Sequence, residues 1–224
     1  MTTPRRAPRI IDLTLTLRPG MRGVEIEPTR LLERDGWNAA TLHLYSHCGT
    51  HMDAAMHFEA GPETIDEIPL ERLMGPAWIV NLSGIAPKAL ISVADLGGVE
   101  KRFAPGDGLL LRTDWSRLAD RRAYRDALPR VSLSLAQWLV ARKARFLGVE
   151  PPSVADVNNL AEVAQVHKTL LAGGVTIIEG LAGLDALSGN RAFFAALPLK
   201  IGRGDGSPCR AFAIEGTSPK GWFE

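Results

Sequence analysis

Four of the five histidines in this chain fall within fifteen residues, at His43, His47, His51 and His57, with Asp53 among them. Neutral imidazole and carboxylate are the usual ligands of zinc and related divalent ions. Imidazole also exchanges protons near neutral pH. A helix would present His47 and His51 together, as metalloprotease helices do. Position 48, however, is Cys48 rather than glutamate, so that arrangement lacks its base. Six residues of helix would also carry Asp53 about 600° around from His47. An extended segment serves better. Positions 43, 45, 47, 51, 53 and 57 share parity and hence one strand face, and Gly49 admits a bend that lets ligands converge. His47, His51 and Asp53 are therefore expected at a strand end running into a loop, an open position suited to catalysis. His43, in an alternating strand, reads as a half-buried packing residue. Cys48 reads as packing too, because adjacent residues of an extended chain point apart.

Two residues far along the chain can join this cluster. His167 lies in a helical pattern with Leu160, Val163, Ala164, Leu170 and Leu171 on its face. Alone it reads as a core histidine bonded to backbone. Glu179 follows Val175-Thr176-Ile177-Ile178 and shares parity with Val175 and Ile177. A carboxylate on an apolar strand face must be paired, protonated or metal-bound. An inward His167 and an inward Glu179 would supply ligands for a second ion.

The elements that must position these groups are mostly strands. Ile10–Leu17 alternates and reads as a strand, with a turn at Arg18–Arg22. Trp37–Ser46 reads as another strand. Ala77–Leu82 and Gly108–Thr113 are apolar runs bounded by Gly or Pro, as buried strands are, and Phe146–Val149 is a further short strand. Ser134–Ala144 follows a helical period with Ser132 or Ser134 as N-cap. Asn158–Ala172 is helical and stops at Gly173-Gly174. Val175–Glu179 and Arg210–Ile214 complete the strands. This pattern predicts a mixed α/β fold with a β-rich core and flanking helices.

Length and composition suit one domain spanning 1–224, with 46% hydrophobic and 23% charged residues. The first 36 residues are expected to form an N-terminal strand and an arm that contributes to oligomer contacts, and Trp222-Phe223 is a second candidate arm. The five tryptophans read as core by default. With 26 basic and 25 acidic residues, a net charge of +1 gives no electrostatic reason to expect nucleic acid or an acidic membrane as partner. No signal peptide is visible, no run approaches ~18 apolar residues, and Cys48 and Cys209 form neither a disulfide framework nor a CxxC pair. A cytoplasmic location is expected.

The segment His47-Cys48-Gly49-Thr50-His51-Met52-Asp53-Ala54-Ala55-Met56-His57 resembles the HxGTHxDxPxH pattern of the cyclase family, which includes bacterial-type kynurenine formamidase and isatin hydrolase. The stretch from His167 to Glu179 is similar to that family's downstream His and Glu, twelve residues apart. Weaker echoes are Ile11-Asp12-Leu13-Thr14, Leu111-Arg112-Thr113-Asp114-Trp115-Ser116 and Gly148-Val149-Glu150-Pro151-Pro152-Ser153. The chain departs at Ala55, where the pattern has proline. The segment Arg18–Pro28 also lacks the Trp- and Pro-rich entry typical of kynurenine formamidase.

The resemblance implies a swivelling β/β/α-type domain assembled as a homodimer or homotetramer. It implies metal contacts from His47, His51 and Asp53. In two-metal members Asp53 would bridge, with His167 and Glu179 completing the second ion; other members hold one ion. Zinc or manganese would be the metal and His57 the catalytic acid/base. The chemistry implied is hydrolysis of a small amide, lactam or lactone by metal-activated water, as in an arylformamidase or isatin hydrolase. The alternative is a non-catalytic metal- or ligand-binding module on the same fold. Structural zinc sites are typically closed and cysteine-rich, which favours catalysis, and no GxSxG elbow supports a serine nucleophile.

Overall fold

The computed structural model describes residues 8–216. The strands in chain order are β1 (Arg9–Asp12), β2 (Val24–Arg30), β3 (Ala39–Leu44), β4 (His51–Asp53), β5 (Met74–Asn81), β6 (Leu90–Ile91), β7 (Gly108–Arg112), β8 (Arg130–Val131), β9 (Phe146–Val149), β10 (Thr176–Glu179), β11 (Arg191–Pro198) and β12 (Gly206–Glu215). The helices are α1 (Leu32–Asp35), α2 (Ala123–Asp126), α3 (Leu133–Ala141) and α4 (Leu160–Ala172). The main sheet runs β1-β12-β11-β5-β7-β9-β10-β4, and β4 also pairs with β12. That last pairing closes the sheet into a barrel, with β1 attached along the far half of β12. The protein is thus a single mixed α/β domain with a β-barrel core and few helices.

Alternation along the strands divides the apolar residues into two cores. Met52, Leu110, Phe146, Ile178 and Phe194 fill the barrel interior, where the Phe146 and Phe194 rings lie 5.0 Å apart. Leu109, Leu111, Leu147, Val149 and Ile177 instead face α3 and α4, packing on Leu135, Leu139, Val166 and Leu170. Ser132 caps α3 by accepting the Leu135 N–H at 3.1 Å, and Asn159 caps α4 by accepting that of Glu162 at 3.2 Å.

Several boundaries differ from the sequence expectation. The first strand ends at Asp12; Leu13 N–H still donates to Ala211 O of β12 at 2.9 Å, and Thr14 then bridges to Leu181. Helix α3 stops at Ala141, because Lys143 takes a left-handed conformation with φ 53°. The third strand is shorter than Trp37–Ser46 and belongs to a separate two-stranded hairpin with β2. This hairpin stands clear of both cores, so His43 is exposed beside Glu27 at 3.3 Å rather than half-buried in packing. Trp37 at its tip is exposed as well, whereas Trp78 and Trp115 are core residues and Trp138 is partly buried. Trp222, Phe223 and the arginines before Ala7 lie outside the described residues.

Candidate metal centre

The closing strand of the barrel carries the site. In β4, Met52 points into the barrel while His51 and Asp53 face α4, as alternation requires. Register places Glu179 of β10 directly across from His51, and Gly206 of β12 across from Asp53. His167 reaches the same place from α4. His47 sits in the turn before β4, and the reversal between them is made by Gly49 at φ 61°. Convergence of His47 with His51 and Asp53 therefore comes from a bend and not from one continuous strand face. His57 is not extended either: it lies in a 3-10 turn, Ala55–Phe58.

The expected residues all meet. Asp53 Oδ1 is 2.9 Å from His47 Nδ1 and 3.8 Å from His51 Nε2. Asp53 Oδ2 is 3.6 Å from His167 Nε2. Glu179 spans the other side, with Oε2 3.1 Å from His51 Nε2 and Oε1 3.2 Å from His167 Nε2. His51, Asp53, His167 and Glu179 are buried, while His57 is half-buried. Among the described residues three triads of donor atoms are close enough for a shared ion: His47, His51 and Asp53; Asp53, His167 and Glu179; and His47, His57 and Asp205. Asp53 belongs to the first two, which are the more buried.

The surroundings fit a divalent ion. Asp53 Oδ2 is buried and has no hydrogen-bond partner, which is costly unless a cation completes it. Two imidazoles are aimed by backbone carbonyls: His51 Nδ1 donates to Gly49 O at 3.1 Å, and His167 Nδ1 to Val163 O at 2.7 Å. Each Nε2 is thereby left facing the carboxylates, the usual outer-shell arrangement around metal-binding histidine. Buried Cys48 belongs to none of the triads, so the donors are all nitrogen and oxygen.

Electrostatics follow from this crowding. Burial pulls the His47 pKa down, but hydrogen bonding and charge from Asp53 and then Asp205 outweigh it and raise it to about 9. At His167 burial again pushes the pKa down, but Glu179, helped by Asp53, outweighs it and the pKa is raised. For Glu179 burial pushes up, yet His167 and His51 hold its pKa below the ordinary carboxylate value. His57 moves the opposite way. Burial lowers its pKa, and the positive charges on His47 and His167 add to that against the pull of Asp53 and Asp205. Its ring stacks on that of His47, with centroids 3.8 Å apart.

Asp205 is the site residue that sequence reasoning missed. Its Oδ2 lies 3.0 Å from His47 Nε2 and 3.4 Å from His57 Nδ1, so one carboxylate oxygen touches both rings. The available signal was a lone acid between Gly204 and Gly206 ahead of a strand. Gly206 is needed for the close approach: a Cβ there would stand 2.6 Å from His47 Cε1 and 2.8 Å from Met52 O.

A cavity of about 680 Å³ opens onto these groups, within the range that small-molecule sites occupy. Phe58 lines it and stacks on His167 with centroids 4.4 Å apart. No helix among the described residues is long and apolar enough to cross a membrane.

Known proteins share this arrangement of chain. The Cyclase family model, described as "Putative cyclase", matches residues 11–156, more than half of the sequence. A kynurenine formamidase of Erythrobacter litoralis (strain HTCC2594) is 30% identical over 215 residues, covering 92% of this chain and 94% of that protein. One from Geobacillus thermodenitrificans (strain NG80-2) is 31% identical over 179 residues, 78% of each chain. Among solved structures, isatin hydrolase A from Labrenzia aggregata, bound to benzyl benzoate, superposes with a TM-score of 0.85 at 27% identity, covering 94% of this chain and 95% of its own.

Proposed function

The chain belongs to the cyclase family, and from that premise we propose that it is a metal-dependent hydrolase opening the C–N bond of a small arylformamide or isatin-like lactam. The observation that carries this is Asp53, a buried carboxylate shared by two triads of nitrogen and oxygen donors and left with one oxygen unpartnered. His47, His51 and Asp53 would hold one divalent ion, and Asp53, His167 and Glu179 a second. A nitrogen and oxygen set without thiolate suits zinc, and manganese also. When bound, such an ion polarises a carbonyl and makes water acidic near neutral pH.

The chain's own residues do the rest. His57, its pKa held low by burial, is neutral at pH 7 and free to accept a proton. Asp205 beside Nδ1 favours the tautomer with hydrogen on that nitrogen, which leaves Nε2 as the acceptor. His57 takes the proton from the attacking water and returns it to the departing nitrogen, so the amine leaves neutral. Phe58 and Tyr45 give the cavity aromatic surface against which a flat ring can lie.

Further features of the proposal rest on coarser support. The two free buried thiols, Cys48 and Cys209, suit the reducing cytoplasm. A homodimer or homotetramer, with the segment up to residue 36 as its arm, is supported by the exposed β2–β3 hairpin, which presents Trp37 and Leu42, each 58% exposed. Light scattering of the purified protein tests the assembly. A panel of N-formyl arylamines, isatins, cyclic imides and lactones, assayed with and without chelator, tests the activity. Turnover of an amide or lactam that chelation abolishes supports the reading, and chelator-resistant turnover refutes it.

A further inference from the structure

The third triad, His47, His57 and Asp205, lies apart from the two that share Asp53. It converges on one atom. Asp205 Oδ2 is 3.0 Å from His47 Nε2 and 3.4 Å from His57 Nδ1. In a tetrahedral zinc site with bonds of about 2.0–2.2 Å, neighbouring donors stand about 3.3–3.6 Å apart, so both edges are already near that spacing. Asp205 is also available to a cation. Among the described residues no lysine or arginine pairs with it, and its other side-chain partner is the Ser46 hydroxyl at 3.4 Å. The triad can be reached from solvent: His47 and His57 line the cavity, and the His57 and Asp205 side chains are 25% and 45% exposed, against 1% for Asp53. His47 joins this outer group to the buried centre, because its Nδ1 faces Asp53 while its Nε2 faces Asp205.

Two imidazole nitrogens and a carboxylate oxygen are a zinc-type donor set. We propose that His47, His57 and Asp205 form a separate, weaker seat for a divalent ion of the zinc type, and that filling it switches the hydrolase off. His57 would hold the outer ion through Nδ1. The hydrogen of that nitrogen then moves to Nε2, which keeps no lone pair with which to accept a proton from water. His47 gives its Nε2 hydrogen to solvent and bridges the outer and inner ions, so one proton is released for each outer ion bound. The seat is half-buried and open to water, so its ion is held less tightly than those of the buried triads and leaves when excess metal is removed. The loss of activity rests on the hydrolase reading; the seat itself is tested by binding alone.

The test starts from protein loaded with zinc and freed of loosely bound ions. Zinc titrated into the wild type, followed by calorimetry, should fill one further equivalent, which dialysis removes again. In His57→Ala and in Asp205→Asn the affinity for that equivalent should fall about tenfold or more, at least what the loss of an outer-shell partner costs. Elemental analysis of both variants should show the inner ions retained, which separates loss of the seat from loss of the fold. Across the same range of zinc, wild-type turnover of an N-formyl arylamine should fall about tenfold or more, with half-inhibition where the further equivalent is half filled. Magnesium, which prefers oxygen ligands, should not inhibit at that concentration. A wild type that takes up no further equivalent, or variants that both bind it as tightly as the wild type, overturns the seat. Full activity with the further equivalent bound, or equal inhibition by magnesium, overturns the switch. If no amide is hydrolysed while the further equivalent still depends on His57 and Asp205, the hydrolase reading fails and the seat stands.

Discussion

Two buried glutamates sit at the ends of adjacent parallel strands and behave oppositely. Glu150 follows β9 and Glu179 ends β10, and they are 1% and 3% exposed. Glu150 accepts from neutral donors: the Thr113 N–H at 2.7 Å, the Thr113 hydroxyl at 3.1 Å, the Trp115 N–H at 3.2 Å and the Ser116 hydroxyl at 3.3 Å. Burial still wins there, and its pKa is raised. Glu179 has one neutral donor, Val154 N–H at 2.7 Å, and two imidazoles, and its pKa is lowered. The first carboxylate ties the 113–116 loop to the end of β9. The second belongs to a cluster that is incomplete without a cation. Burial alone does not mark a functional acid; the charge type of its partners does.

Breaking the two sites should separate function from stability. The largest effect is expected at Asp53: Asp53→Ala should remove bound metal and lower turnover about a thousandfold or more, checked by elemental analysis alongside kinetics. His57→Ala should lower kcat by about 10²–10⁴-fold while metal content stays at the wild-type level. Loss of metal in that variant would make His57 a ligand instead of a proton carrier. Asp205→Asn should weaken metal affinity by about 10–100-fold, as outer-shell substitutions do, measured by competition with a chelating dye; Asp205→Glu should recover part of it.

Glu150→Gln turns the comparison around. It should leave metal content intact and cost about 1–3 kcal/mol of stability through mismatched donors, read from urea denaturation. The smallest effect is in pH. A folded pKa raised above the unfolded value means that folded Glu150 binds more protons, so its contribution to stability falls as pH rises from the unfolded value through the folded one. Glu150→Gln should remove that slope, and a slope unchanged in the variant would assign the titration to another group.

Much of the centre was legible because its ligands are clustered in sequence. His47, His51, Asp53 and His57 lie within eleven residues, and Glu179 announced itself as an acid in a β-branched run. The same strand logic placed β7, β9 and β10 to within a residue or so. Barrel closure was not legible, since it depends on three-residue β4 pairing with both β10 and β12 across more than a hundred residues of chain. Asp205 was hidden for the same reason: only the β4–β12 register brings it to His47 and His57. His43 misled because alternation gives the faces of a strand but not whether either face is covered, and among the described residues both faces of β3 are exposed from Ala39 to His43.

The decisive measurement is the metal content of protein prepared with divalent metal in excess and then freed of loosely bound ions. One or two equivalents of zinc or manganese per chain are expected, removed by chelator together with the hydrolysis of small amides and restored with it. Less than a stoichiometric amount under those conditions would contradict a metal centre at Asp53.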